Sequence, residues 1–160
     1  MRFTPENISV LAENEVFVFG SNLAGLHGGG AAKVALERFG AENAKGIGHF
    51  GQSYAIPTKD ELIETLPIEE ISEHVAAFIE YAKTKPELTF FVTQIGCGLA
   101  GYSPDDIGPL FSNVPDNVVL PETFWIQFAT IPNLAAKFSS KSDFQNSGSN
   151  PELLPTVDGA

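Results

Sequence analysis

EVFVFGSNLAGLHGGGAAKVALERFG, residues 15–40, is the stretch from which the fold is read. Glu15–Phe19 is a short β-rich run that stops at Gly20. A loop follows with Gly25, Gly28, Gly29 and Gly30, residues expected to let backbone come close to a ligand and to adopt a positive φ. From about Gly30 to Phe39, Ala32, Ala35, Leu36 and Phe39 recur at helical spacing, and Gly40 is a C-terminal stop. Strand, glycine loop and helix start therefore follow one another. Amide groups at such a helix start favour an anion. The pattern is neither GxxxxGK[ST] nor GxGxxG, so neither a Walker loop nor a dinucleotide fingerprint is present.

The same order returns at residues 94–106, QIGCGLAGYSPDD. A buried-strand candidate, Leu88–Ile95, runs into Gly96, Gly98 and Gly101. Ser103 then reads as an N-cap, with Pro104 at the first helical position and Asp105 and Asp106 behind it, for a helix to about Ser112. Between the two stretches, Ser53–Pro57 reads as a short strand. Leu66–Thr84 reads as a helix whose Ile68, Ile71, Val75, Phe78 and Ala82 share one face. Asn117–Leu120 is a last strand candidate. Alternating strands and helices predict an α/β domain, layered α/β/α on a mixed, mostly parallel sheet. Ligands of such sheets bind outside the carboxyl ends of the strands, so the two glycine loops are expected to border one cleft.

Composition sets the outer limits. The 160 residues are 43% hydrophobic and 18% charged, as in a globular chain of about one domain. Residues 1–136 are read as that domain. From Lys137 the chain turns rich in Ser, Asn, Gly and Pro, so 137–160 is expected to be a flexible tail. The net charge of -11 leaves too few Lys and Arg for a duplex nucleic-acid surface or an anionic membrane. No apolar run approaches a membrane span, and the N-terminus has no apolar h-region, so no signal peptide is expected. One cysteine excludes an intramolecular disulfide and suits a reducing cytoplasm.

Single residues are weighed against their ordinary roles. Lys59 follows the 53–57 strand and is the lone cation before residues 60–80, which hold seven acids and no base. Cys97 lies inside a glycine loop with no base in view, so packing outweighs a nucleophilic role. His27, His49 and His74 are scattered, with no zinc spacing. His27 adjoins the glycine run and is a minor candidate for ligand contact. Phe50, in a loop expected near the cleft, and Tyr102 are candidates for stacking, with packing the default. Trp125 and Phe128 read as core or edge packing.

Asn22, the run HGGGAA at 27–32, Pro57-Thr58-Lys59 and IGCGLAGY at 95–102 together resemble the macrodomain superfamily. They look most like its branch of terminal ADP-ribose protein glycohydrolases and DNA ADP-ribosyl glycohydrolase antitoxins. The resemblance covers roughly residues 5–120 and implies a fold that binds ADP-ribose; no cofactor or metal is expected. It implies that Asn22 faces the distal ribose. Gly28, Gly29 and Gly30 line ribose and pyrophosphate, and Thr58 flanks them. Gly96, Cys97, Gly98, Leu99, Ala100, Gly101 and Tyr102 wrap the phosphates, helped by amides of the 103–112 helix. Lys59 matches the lysine that attacks or polarises the anomeric carbon.

The chain departs from the pattern in three places. Ala100 stands where the protein glycohydrolase has an acid. Ala32 stands where another hydrolytic class has an Asp. Only Glu6 or Asn7 is opposite the adenine-binding Asp. Two readings therefore stand: a hydrolase of ADP-ribosyl bonds that uses Lys59, and a non-catalytic nucleotide reader or sequestering module. In both, the partner is a small nucleotide; the bland alternative is an α/β domain whose loops bind a protein partner.

Overall fold

The structure, a computed structural model, describes residues 2–128, so the expected tail from Lys137 lies outside the described residues. Strand β1 is Glu15–Asn22, helix α1 Gly30–Arg38, β2 Gly48–Phe50, β3 Ser53–Lys59, α2 Ile68–Lys83 and β4 Thr89–Val92. Helix α3, Pro104–Ile107, runs directly into a 3-10 turn, Gly108–Phe111, before β5, Val118–Val119, and α4, Glu122–Phe128. The strands form one sheet in the order β2-β3-β1-β4-β5. β3, β1, β4 and β5 are parallel, and β2 is antiparallel to β3.

Both faces of the sheet are covered. Successive strand residues point to opposite faces. Val16, Val18, Tyr54, Ile56, Phe90 and Val92 point into the larger core, where α2 supplies Ile71, Val75, Phe78 and Ala82. Ile107, Phe111 and Phe124 bring α3, the 3-10 turn and α4 to the same face. Phe17, Phe19 and Ala55 point the other way, against Ala32, Ala35 and Phe39 of the α1 segment. The fold is thus a layered α/β/α domain on a mixed, mostly parallel sheet. Beyond α1, residues 2–12 cover the rest of that second face. Thr4 donates its N–H to Leu120 O (2.9 Å) and its hydroxyl to Val119 O (3.0 Å), and the Arg2 guanidinium lies 5.1 Å from the Phe91 ring centre. No helix among the described residues is long and apolar enough to cross a membrane.

Several boundaries differ from the sequence reading. β1 continues past Gly20 to Asn22, because its end still pairs with β3. β3 runs two residues beyond Pro57, so Lys59 ends the strand and does not follow it. β4 is shorter than Leu88–Ile95, and β5 shorter than Asn117–Leu120. The helix from Ser103 is α-helical for only one turn and then tightens to 3-10. Pro109 lacks the N–H that the next α-helical bond needs. Phe50 belongs to the edge strand β2, where it pairs with Ser53 at the start of β3. It therefore sits at the sheet edge opposite the glycine loops.

Candidate functional site

The parallel strands β3, β1 and β4 lie side by side, so their carboxyl ends open on one edge of the sheet. The chain leaves β1 for α1 on one face, and leaves β3 and β4 for α2 and α3 on the other. The connection after β1 thus parts from those after both of its neighbours, β3 and β4. That is the geometry that leaves a crevice in open α/β sheets.

Three loops border this crevice, and each is tied to a neighbour. The β1–β3 register slips between Ser21 and Asn22, which sets Asn22 opposite Lys59. Thr58, at the slip, turns its hydroxyl back to Ser21 O (3.3 Å). Leu23 N–H donates to Lys59 O (2.9 Å). Asn22 closes its own loop: Oδ1 accepts from Leu26 N–H, and Nδ2 donates to Leu26 O, both at 2.9 Å. The loop after β4 is held to the loop after β3 by Thr65, whose hydroxyl donates to Ala100 O (3.0 Å), and by the Tyr102 hydroxyl on Leu66 O (2.7 Å).

The glycines differ in what they are needed for; Gly30 (φ +57°) and Gly101 (φ +89°) serve a left-handed backbone in open space. A Cβ on Gly28, Gly29 or Gly98 would meet no atom within 4 Å. None of the three has a left-handed φ; Gly29 is extended, with φ -159° and ψ 167°. Neither backbone conformation nor neighbouring atoms call for glycine there, and what glycine does supply is open room beside the backbone. Gly96 is different. Its φ is +75°, and a Cβ would lie 3.0 Å from Ile107 Cδ1, so it serves the turn and the packing.

Gly29 also caps α1, and no side chain fills that cap. The first turn holds no acid, and the first helical bond runs from Lys33 N–H to Gly29 O (3.2 Å). The preceding amides have no partner inside the helix, so the end of α1 carries unspent positive character. The start of α3 does not, contrary to what the resemblance implies. Ser103 donates both its N–H and its hydroxyl to Asp106 Oδ2 (3.1 Å each), so a carboxylate of the chain already occupies that end.

Lys59 is half-buried at the end of β3, and among the described residues no carboxylate lies within 4.0 Å of its ammonium. In a chain with 20 acids, an unpaired lysine beside an uncapped helix start leaves two donors of positive character on one edge. The next segment is tightly turned. Asp60 Oδ1 accepts from Leu62 N–H and Glu64 N–H (2.9 Å each), and Ile63 takes a left-handed φ of 64°.

Other candidates have structural roles. His27 is 3% exposed and buttresses the first loop from behind, with Nε2 placed 2.9 Å from Glu42 O and 3.2 Å from Lys45 O. It is not open to a ligand. Tyr102 packs on the larger core and spends its hydroxyl on Leu66, so it is a tie between loops and not a stacking platform. His49, on β2, bonds the Tyr81 hydroxyl and Gly51 O. His74 is half-buried on α2. Trp125 packs partly buried beside the larger core and Phe128 is fully buried in it.

Burial pushes the Cys97 thiol up to about 11, with Asp106 adding to the shift. A nucleophilic Cys97 is thereby disfavoured. Iodoacetamide at pH 8 should alkylate Cys97 at least about tenfold more slowly than an ordinary thiol, because the scarcer thiolate is only partly offset by its greater nucleophilicity. An ordinary alkylation rate would contradict that environment.

No family model matches this chain, and neither a curated protein nor a solved structure does. The site is therefore read from its own geometry. Among the described residues no group of three or more His, Cys, Asp or Glu is placed to hold a metal ion. A hollow of about 340 Å³ lies between Pro5, residues 7–11, Glu15 and Phe91, at the opposite end of β1 from the glycine loops. Its one charged wall is a carboxylate, so it does not suit an anion.

Sequence reasoning missed the wall behind the first loop, residues 41–47. Gly46 and Gly25 were the available clue: a Cβ on Gly46 would lie 2.1 Å from Asn22 O, and one on Gly25 2.4 Å from Ala44 C.

Proposed function

We propose that the chain binds ADP-ribose or a related adenine nucleotide in the crevice at the carboxyl ends of β1, β3 and β4. The observation that carries this reading is the open space over Gly28, Gly29 and Gly98 beside the uncapped start of α1. Backbone amides there can take the diphosphate without any formal charge from the protein. Asn22 and Lys59, opposite one another across the strand pair, would flank the distal ribose. The macrodomain resemblance agrees with this assignment. The single cysteine and the acidic balance fit a cytoplasmic protein that does not bind duplex nucleic acid. Titration calorimetry and thermal shift with ADP-ribose, AMP and NAD test the proposal. At a hundred times Kd, ADP-ribose should stabilise the fold by about 2.7 kcal/mol. No heat and no stabilisation with any adenine nucleotide would overturn it.

The unpaired ammonium of Lys59 favours a second reading, hydrolysis of an ADP-ribosyl bond. The neutral amine would form a C–N bond to the anomeric carbon as the glycosidic C–O bond breaks. The departing oxygen takes the proton that the attacking nitrogen sheds, the ribose ring of the glycosylamine opens to an imine that borohydride can reduce, and water later replaces the amine. Lys59→Ala should then lower kcat at least about a hundredfold and change ADP-ribose affinity less than about tenfold, the mark of a contact made in the transition state. Borohydride reduction during turnover should leave an adduct on Lys59. Wild-type turnover in Lys59→Ala, with no adduct, would remove Lys59 from the mechanism. A wild-type chain that binds and does not turn over is a nucleotide reader, which Ala32 and Ala100 in place of acids also fit.

A further inference from the structure

We infer that the rim of the crevice docks a basic polypeptide that offers a large apolar side chain between lysines or arginines. Leu26 follows β1, Leu62 and Ile63 follow β3, and Leu99 follows β4, so all four stand on the same sheet edge. They are 58%, 77%, 40% and 86% exposed, and they are four of the seven exposed large apolar side chains among the described residues. Scattered apolar side chains on a surface need no explanation, whereas a set gathered around a crevice marks an interaction site.

Ile63 supplies the second observation. A β-branched residue at a φ of 64° is strained, and turns of this kind take Gly or Asn at no such penalty. Ile63 stays partly exposed, so burial within this chain does not offset the strain. Asp60 locks the turn through both amides it accepts, which holds Leu62 and Ile63 outward. Strain kept at an exposed tip is typical of ligand clamps.

Charge decides the occupant. Residues 23–29, 59–67 and 93–103 contain Asp60, Glu61 and Glu64 against one lysine, Lys59, and no arginine, a net charge of -2. Extended polyanions such as nucleic acid and anionic membranes meet net repulsion at such a rim, whereas a single diphosphate on the amides inside the crevice does not depend on the rim's charge. A second copy of a chain with net charge -11 is repelled as well. The chain's own residues 129–160 hold Lys137 and Lys141 against Asp143, Glu152 and Asp158, so they are not basic. A basic partner with an apolar anchor satisfies both the leucines and the acids.

The inference goes beyond the nucleotide reading and is tested without nucleotide. The full chain is panned against a displayed library of random short peptides, and enriched peptides are synthesised and titrated. Enrichment of Lys or Arg around a Leu, Ile or Phe is expected, with affinity that falls as salt rises. The Leu62→Ser/Leu99→Ser double variant should bind these peptides about tenfold more weakly or worse, and Val10→Ser, at an exposed position away from the rim, should not. Ile63→Asn should melt higher than wild type and still bind at least about fivefold more weakly, a pairing that a structural role would not produce.

No enrichment, enrichment without basic residues, or equal binding by the double variant overturns the inference. So does a wild-type dimer lost in the double variant, or a single-stranded oligonucleotide or anionic vesicle that binds wild type and not that variant.

Discussion

Gly46→Ala should destabilise the fold by about 3 kcal/mol and lower Tm by roughly 10 °C. The added methyl carbon would sit 2.1 Å from Asn22 O, 3.1 Å from Asn22 C and 3.3 Å from Leu23 Cα, all of them backbone atoms. Backbone at the end of a paired strand cannot turn aside as a flexible side chain can. Asn22 is also held by its bonds to Leu26, and the Ser21 hydroxyl donates to Gly46 O, so the loops are fixed from both sides. Relief requires residues 41–47 to move off the first glycine loop, which breaks the His27 contacts to Glu42 and Lys45. Urea unfolding measures the loss as a lower midpoint at an unchanged slope. A wild-type midpoint would mean that segment 41–47 does not back the site. The same displacement takes away the wall behind the first glycine loop, so nucleotide affinity should fall together with stability.

How much of this was legible in the sequence depended on how local each cause is. The buried face of α2 was readable because Ile71, Val75, Phe78 and Ala82 repeat with the helix period and all end in one core. The start of α3 was readable because Ser103 and Asp106 meet within one turn. β2 was not, since Gly48–Phe50 has no alternation and is a strand only because β3 lies beside it. The extension of β1 through Gly20, Ser21 and Asn22 was hidden for the same reason. Glycine and asparagine read as breakers, and the parallel partner overrides them. At the site, the glycine loops were visible and their common edge followed from strand order. The pairing of Asn22 with Lys59 was not, because it depends on the register slip. The sequence also could not separate glycines that serve the backbone, such as Gly96, from those that only leave room, such as Gly29.

That separation yields the other large expected effect. Gly29→Val and Gly98→Val should each weaken ADP-ribose binding at least about a hundredfold, or ~2.7 kcal/mol, and leave Tm within a few degrees of wild type. Left-handed strain is not the cause, since Gly29 is extended and Gly98 has no positive φ. Valine can adopt such backbone, and nothing within 4 Å obstructs its Cβ. The branched side chain instead fills the space through which a diphosphate would reach the amides at the start of α1 and in the loop after β4. Gly96→Val is the contrasting control. It faces Ile107 Cδ1 at 3.0 Å with a φ of +75°, so it should lower Tm whether or not a ligand is present. Calorimetry on folded Gly29→Val and Gly98→Val, each checked by its melting curve, decides the matter. Wild-type affinity in both would mean that these loops are turns and that the nucleotide, if bound, lies elsewhere. Loss of affinity with an unchanged melting curve would tie binding to the open room over those glycines, because the fold itself makes no use of it.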